Sequence, residues 1–194
     1  IPSFDIILPV GISFYTFQAL SYTIDVYRDE IYAEKNFFRY ALFVSFFPQL
    51  VAGPIERSKN LLKQLAMPRK FEFEGAREGF LLMLWGFFLK IVIADRIAPF
   101  VDHVYINYPT FSGYYIVIAT MLFAVQIYCD FSGYSVIAMG TAKILGISLM
   151  ENFDAPYIST SVGEFWRKWH ISLTSWFKDY LYIPLGGSKR GRVR

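Results

Sequence analysis

One histidine and three of the four tryptophans lie within residues 164–180, together with several charged side chains. On a helix of about 3.6 residues per turn, His170 shares a face with Trp166 and Trp169, while Arg167 lies on the opposite face. Burial among aromatic rings disfavours the charged form of an imidazole, because the ring loses the water that would stabilise the charge. His170 would then be neutral near pH 7 and could accept a proton, so we interpret it as a candidate general base.

His170 also fits a purely structural role as a hydrogen-bonded histidine in an aromatic core, and the residue pattern leaves both interpretations open. The other histidine, His103, lies far away in sequence, at a spacing that no helical metal pair uses. Cys129 is the single cysteine, so neither an intrachain disulfide nor a cysteine cluster can form. We therefore expect no metal site and no bound cofactor.

The histidine-bearing segment is predicted to be one continuous amphipathic helix. It begins at Ser161, whose hydroxyl can accept the backbone N–H of Glu164 while the Glu164 carboxylate returns a bond to Ser161. It ends before Pro184, and Ser172 and Ser175 fall on its polar face. Aromatic rings on one side and charges on the other are typical of a helix at a membrane interface.

The composition excludes an ordinary soluble domain and a nucleic-acid-binding protein. The chain has 194 residues, of which 55% are hydrophobic and 20% aromatic, and its mean hydropathy is +0.35. Such a chain is typical of a membrane-embedded protein. The net charge of +3 is small and the basic residues are spread over several loops, so no nucleic-acid partner is expected.

Four apolar runs are predicted to span the membrane, and a shorter helix follows them. The predicted spans are residues 6–24, 37–55, 79–97 and 114–128, and the short helix is 135–149. Pro48 and Pro54 predict a broken or re-entrant helix in the second run, and the region of Gly133 predicts a further break. We therefore expect an all-α, polytopic integral membrane protein with an amphipathic interfacial helix. Residues 1–194 are expected to form a single domain that is incomplete at both ends.

Charged residues predict the topology and two polar contacts. Residues 56–78 carry six Lys or Arg side chains in a short polar loop, which the positive-inside rule places in the cytoplasm. Residues 98–113 are predicted to be an external loop. Lys90 lies within a span and is expected to pair with Asp95, while Asp130 is expected to be buried against a donor. For Asp130, structural pairing and a direct role in a site are both open.

Four blocks of sequence together resemble one family. They are LPVGISFYTFQ at residues 8–18, FPQLVAGPI at 47–55, DFSGYS at 130–135, and the whole of 164–187. In this order the blocks resemble the membrane-bound O-acyltransferases, in particular the branch that acetylates alginate. The D-alanyl transfer protein of teichoic acid modification is a more distant relative. The resemblance covers nearly the whole chain.

The resemblance implies a multi-pass enzyme of the bacterial inner membrane, in contact with membrane lipids, that transfers an acyl group. The donor would be an intracellular thioester, either acetyl-CoA or an acyl carrier. The acceptor would be an extracytoplasmic, alginate-like polysaccharide or an acyl-acceptor protein, often within an O-acetylation complex.

The family's Trp-His pair corresponds to Trp169 and His170, so the resemblance implies that His170 is catalytic. The residues expected to support it are Trp169, Asp130, Trp166 and Arg167. A second histidine of the family lies further along, in a Trp-His-Gly setting. Residues 1–194 are therefore expected to lack a complete catalytic centre.

Two other classes of protein remain as alternatives. In a transporter, Lys90, Gln126 and Asp130 would line an ion path. In a non-catalytic scaffold subunit of a polysaccharide export complex, the same helices would only recruit partners. Transfer of an acyl group by the full-length protein separates the enzyme from both.

Overall fold

The structure is a computed structural model that describes residues 11–50 and 53–190, without the side chains of residues 189–190. Every regular element in these ranges is helical, which confirms the predicted all-α class. The α-helices are α1 (Ile12–Tyr27), α2 (Phe37–Val44), α3 (Ser58–Ala66), α4 (Phe73–Phe87), α5 (Asp95–Ile106), α6 (Gly113–Ile144), α7 (Val162–Lys168) and α8 (Ile171–Phe177).

Two π-helical segments continue α-helices without a break. Phe88–Ala94 joins α4 to α5, and Lys178–Tyr182 extends α8. Short 3₁₀ turns occupy Tyr108–Thr110, Pro156–Ile158 and Gly187–Arg190. π-helical turns are rare and often occur at functional positions, so the side chains in these two segments are candidates for functional contacts. Here they include Lys90 and Tyr180, which both make polar contacts.

The helix α6 is long and apolar enough to cross a membrane, and it is the one such helix in the described part of the chain. Its 32 residues run through Gly133 without interruption, so the predicted division into residues 114–128 and 135–149 is wrong. Gly133 serves close helix packing and not a turn. The other predicted spans, and with them the polytopic arrangement, stay predictions.

The apolar runs before α6 also differ from the predicted spans. In the second run α2 ends at Val44, which confirms a broken helix before Pro48, while its re-entrant placement stays a prediction. From Phe73 to Ile106 the chain is helical throughout, so the predicted external loop is wrong as far as Ile106. Pro99 lies inside α5, in the second turn after the π segment. Residues 6–10 and 51–52 of the predicted spans lie outside the described residues.

The chain forms two compact units. The first unit comprises Ile1–Pro68 and Asp154–Arg194, and the second comprises Arg69–Phe153. The first unit therefore contains α1 to α3 together with α7 and α8, and the second contains α4 to α6. The single domain proposed for residues 1–194 stays a prediction.

Glycines hold α4 and α6 close together in the second unit. Gly79 of α4 faces Gly140 of α6, and Gly86 faces Gly133, so the two helices run antiparallel. A Cβ atom on Gly140 would lie 2.5 Å from the Gly79 carbonyl oxygen, and one on Gly86 would lie 2.7 Å from the Gly133 carbonyl oxygen. Backbones that approach this closely are typical of membrane helix pairs with small residues at their interface.

Two ion pairs also connect α6 to the chain before it: Lys143 of α6 pairs with Glu78 of α4, and Lys90 of the π segment after α4 pairs with Asp130 of α6. The Nζ of Lys90 lies 2.7 Å from an oxygen of Asp95, as predicted, and 2.5 Å from an oxygen of Asp130. The prediction that Asp130 pairs with a donor is therefore confirmed. The prediction that Asp130 is buried holds only in part, since 44% of its side chain is exposed while Oδ1, the oxygen that faces Lys90, is buried.

In the first unit, residues predicted to form a polar cytoplasmic loop are partly helical and buried. Helix α3 occupies part of residues 56–78, and Glu56 and Ser58 are each 1% exposed. Pro54, just before them, is also buried. A segment with this much burial must satisfy its polar groups inside the protein. The cytoplasmic placement of residues 56–78 stays a prediction.

The glycine contacts predict that Gly140→Ala weakens the α4–α6 pair. The added methyl group would meet the backbone of Gly79, so we expect the free energy of unfolding to fall by roughly 1–3 kcal/mol. Gly75→Ala in α4 is the matched control, because its new methyl group would meet only a Glu72 carboxylate oxygen at 3.7 Å. Thermal unfolding of the full-length protein in detergent measures both. Equal unfolding temperatures for the two variants would contradict the close contact.

Candidate functional site

The helix that was predicted to be continuous is broken at the Trp-His pair. Helix α7 ends at Lys168, Trp169 is extended, and His170 adopts a left-handed conformation with φ 47° and ψ 55° before α8 begins. Left-handed backbone is uncommon for any residue with a Cβ atom and costs roughly 1–3 kcal/mol. The predicted single amphipathic helix is therefore wrong, and the break falls on the candidate catalytic residue.

The carbonyl groups released by the break find partners elsewhere. In a continuous helix the Lys168 carbonyl would accept the N–H of Ser172, but here it accepts the N–H of Asp154 at 3.0 Å. The Trp169 carbonyl accepts the Thr174 hydroxyl at 3.3 Å. A backbone carbonyl without a hydrogen-bond partner is costly when it lies away from water, so these two contacts stabilise the break.

The start of α7 follows the predicted cap in part. The Ser161 hydroxyl accepts the Glu164 N–H at 3.1 Å, as expected. The Glu164 carboxylate returns its bonds to the N–H and hydroxyl of Thr160, both at 2.9 Å, and not to Ser161. The Thr160 backbone N–H and then Lys168 lower the pKa of Glu164 to about 2, so this end of α7 keeps its negative charge at any physiological pH.

Aromatic rings hold Trp169, while two other residues predicted to support His170 are exposed. Trp169 stacks on Phe165 with ring centroids 5.5 Å apart. Trp166 is 54% exposed and Arg167 is exposed as well. Trp166 lies on α7 and His170 lies after its end, so the two do not share the face of one helix as predicted. Asp130 belongs to the second unit, where it contacts Lys90.

His170 is half-buried, and its ring faces a buried serine. The Ser172 hydroxyl oxygen lies 3.5 Å from Nδ1 of His170, and Ser172 is fully buried. Burial lowers the pKa of His170 to about 4, so the imidazole is neutral at pH 7, as expected from its aromatic surroundings. Ser172 was predicted on the polar outer face, which is wrong because that face was drawn for an unbroken helix. The arrangement provides a neutral imidazole that can accept a proton.

A group of polar side chains around the buried Asp25, which we call the Asp25 cluster, anchors the segment after His170. It comprises Asp25, Arg57, Ser58, Asp179 and Tyr180. Asp25 is 1% exposed, and its two carboxylate oxygens accept the Tyr180 hydroxyl at 2.7 Å and the Ser58 hydroxyl at 2.9 Å. Burial and then the bond to Asp25 raise the pKa of Tyr180, so Tyr180 remains a hydrogen-bond donor.

Arg57 connects the Asp25 cluster to α8. Its Nη2 donates to Asp179 at 3.0 Å and to the Ser175 hydroxyl at 3.3 Å. Its guanidinium carbon lies 4.6 Å from the centre of the Tyr180 ring, within the range of a cation–π contact. Trp176 also ties α8 to α1, since its Nε1 donates to the Phe17 carbonyl at 3.0 Å.

Sequence reasoning missed the Asp25 cluster. In the sequence, Asp25 only marks the end of the first predicted span, and Arg57 is only one of the six basic residues that predict a cytoplasmic loop. One signal was present: Gln18, Ser21 and Asp25 are spaced i, i+3 and i+7 in an otherwise apolar run, which places all three on one helix face. All three are buried in α1.

Comparison with known proteins assigns the chain to a family. The model of the membrane-bound O-acyltransferase family matches residues 29–194. The chain belongs to this family. The matched range contains the helix break at His170 and every member of the Asp25 cluster except Asp25 itself.

Several membrane-bound O-acyltransferases are similar over almost the whole chain. The probable alginate O-acetylase AlgI of Azotobacter vinelandii is 45% identical over 95% of this chain and 36% of its own length. The peptidoglycan O-acetyltransferase of Helicobacter pylori is 34% identical over 95% of this chain and 40% of its own length. The teichoic acid D-alanyltransferase of Bacillus subtilis is 30% identical over 94% of this chain and 47% of its own length. The chain thus spans less than half the length of these relatives.

The hydrogen bond from Tyr180 to Asp25 predicts that Tyr180→Phe destabilises the full-length protein. The variant keeps the ring but leaves one oxygen of a buried carboxylate without its donor, which should lower the free energy of unfolding by about 1–3 kcal/mol. Tyr182→Phe is the control, because Tyr182 is 54% exposed. Thermal unfolding in detergent compares the two. A Tyr180→Phe variant as stable as the control would show that the bond contributes nothing.

Proposed function

We propose that the full-length protein is a membrane-bound O-acetyltransferase that modifies hydroxyl groups of an extracytoplasmic, alginate-like polysaccharide. Family membership and the names of the relatives support acyl transfer. The alginate and peptidoglycan O-acetyltransferases are 45% and 34% identical to this chain, whereas the D-alanyltransferase is 30% identical, which favours acetyl as the acyl group.

The observation that carries the proposal is the neutral, half-buried imidazole of His170 at a strained break in the chain. In the proposed reaction the acceptor hydroxyl gives its proton to His170 as its oxygen attacks the carbonyl carbon of the donor thioester. A C–O bond forms and the C–S bond breaks. The departing thiolate then takes the proton from His170, which returns the imidazole to its neutral form.

The proposed donor is an intracellular thioester, acetyl-CoA or an acyl carrier, that enters as a substrate and not as a bound cofactor. Trp169 supports His170 in this proposal by stacking on Phe165, which fixes the residue before the histidine. Asp130, through its contact with Lys90, supports the α4–α6 pair, and a direct role in catalysis is not needed for the step above.

The proposed location is the bacterial inner membrane, with several spans in contact with lipid. The helix α6 has the length and composition of a span. Transfer from an intracellular donor to an outside acceptor requires either a passage through the membrane or a partner that carries the acyl group. We therefore propose that the protein works with other members of an O-acetylation complex, including an extracytoplasmic acyl-acceptor protein.

The role of His170 predicts that His170→Gln in the full-length protein lowers acetyl transfer at least about 100-fold, the usual contribution of a general base. Glutamine is close to histidine in size and polarity, so expression and unfolding temperature should stay near those of the native protein. His103→Gln is the control, since His103 is exposed and should leave transfer within about twofold. Transfer from a radiolabelled acetyl thioester to polysaccharide, in liposomes that also contain the acyl-acceptor protein, measures the rates. A native rate for His170→Gln would rule out the catalytic role.

The pKa of His170 predicts an unusual acid limit of activity. A base works in its deprotonated form, which persists above its pKa, so activity should fall only as pH drops through about 4. An unperturbed histidine would already lose activity near pH 6.5. The pH dependence of kcat/KM between pH 4 and 7.5, with circular dichroism to confirm folding at each point, tests this. An acid limit near 6.5 in a folded protein would contradict the lowered pKa.

A further inference from the structure

Ser172 is placed to act on the imidazole of His170. Its hydroxyl oxygen lies 3.5 Å from Nδ1, and the residue is fully buried at the start of α8. This distance is at the outer limit of a hydrogen bond, and catalytic hydrogen bonds are often long before substrate binds.

A neutral imidazole carries its single proton on one of two nitrogens, and the partner of one nitrogen decides the state of the other. If Nδ1 carries the proton and donates to the Ser172 hydroxyl oxygen, Nε2 keeps the lone pair that a base requires. If Ser172 donates to Nδ1 instead, Nε2 carries the proton and cannot accept another. The direction of this one contact therefore determines which nitrogen can act.

Hydrogen bonds hold the backbone of Ser172 in place. The Ser172 carbonyl accepts the Ser175 hydroxyl at 3.0 Å, and the Ser175 hydroxyl oxygen accepts Nη2 of Arg57 at 3.3 Å. The first turn of α8 is thus connected to the Asp25 cluster through side chains. These contacts hold the backbone of Ser172, and with it the position from which its hydroxyl reaches the imidazole.

We propose that Ser172 is a positioning residue for His170: its hydroxyl oxygen accepts the N–H of Nδ1, which orients the ring and leaves Nε2 as the proton acceptor. The inference rests on the proposed function for the role of Nε2 as base. The contact itself is independent of that function. Had Ser172 occupied the outer face that the sequence predicted for a continuous helix, its hydroxyl would lie away from the imidazole and could not orient it.

The kinetic test uses the full-length protein in liposomes with an acetyl thioester, the acyl-acceptor protein and polysaccharide. Ser172→Ala should lower kcat about 10- to 100-fold, the usual effect of removing the partner that orients a functional histidine, and should leave KM within about twofold. Ser172→Thr keeps a hydroxyl and should recover most of the loss. Ser21→Ala is the matched control, because Ser21 is equally buried but its hydroxyl donates to the Gln18 carbonyl of its own helix. Equal kcat for Ser172→Ala and Ser21→Ala would overturn the proposal.

A second measurement does not depend on activity or on Ser172→Thr fitting its site. Solid-state ¹⁵N NMR of the full-length protein, labelled at its histidine side chains, reports which ring nitrogen carries the proton. The His170 signals are assigned by their loss in His170→Gln. We expect the tautomer with hydrogen on Nδ1 in the native protein and a mixture of tautomers in Ser172→Ala. Hydrogen on Nε2 in the native protein, or identical spectra for the two proteins, would overturn the proposal.

The two tests also separate this inference from the proposed function. Full transfer by His170→Gln would remove the catalytic role of His170, while the NMR experiment would still decide whether Ser172 sets its tautomer. An inactive His170→Gln together with an unaffected Ser172→Ala would leave the proposed function standing and reject the role of Ser172.

Discussion

The hydrogen bond between the Tyr180 hydroxyl and the Asp25 carboxylate is the constraint on which the first unit depends. It joins residues 155 positions apart in sequence, from α1 to the π segment after α8. A buried carboxylate without donors is costly, so the fold must bring hydroxyl groups to it. Ser58 at the start of α3 supplies the second one. One buried side chain therefore fixes the mutual positions of α1, α3 and the segment that follows His170.

This anchoring explains why a strained break can persist beside the candidate base. A short, isolated helix pair would relax into one helix, because continuous pairing satisfies more backbone groups than a left-handed residue does. Here α8 is held from outside, by Tyr180 through Asp25 and by Trp176 through the Phe17 carbonyl. The chain before the break is held by the Asp154 N–H on the Lys168 carbonyl. The strain at His170 is thus maintained by contacts that lie on both sides of it.

The features that could be predicted from sequence depend on neighbours along the chain. The all-α class follows from the apolar runs, the Ser161 cap from a serine three residues before Glu164, and the Lys90–Asp95 pair from two opposite charges five residues apart. Family membership was predictable because it rests on blocks of sequence and needs no tertiary contact. The neutral state of His170 was predicted from burial among aromatic rings, and burial is what lowers its pKa in the structure.

The features that could not be predicted depend on partners far away in sequence. No glycine or proline marks the break at Trp169, and the contact that stabilises it comes from the Asp154 N–H on the preceding residue's carbonyl, which no local pattern reveals. Gly133 was ambiguous, because glycine can end a helix or let two helices touch, and only the presence of Gly86 opposite decides between them. The contacts of Arg57 could not be predicted either, because its partners lie far away in sequence. A basic residue in a polar stretch of a membrane protein indicates which side of the membrane the stretch occupies, and does not indicate a tertiary contact.

Helix α1 shows how a membrane-associated protein can support such a polar cluster. Its buried face carries Gln18, Ser21 and Asp25, while Leu20 is 45% exposed and the Thr23 hydroxyl bonds to the Ala19 carbonyl of its own helix. Buried polar groups beside an exposed leucine are what the span predicted for this run would need, because a helix in lipid must keep hydrogen-bonding groups inside or satisfy them locally. In surroundings with little water, hydrogen bonds such as Tyr180 to Asp25 are stronger than in solution. Burial away from water likewise lowers the pKa of His170 and keeps its imidazole neutral, so one physical condition serves both the anchor and the candidate base.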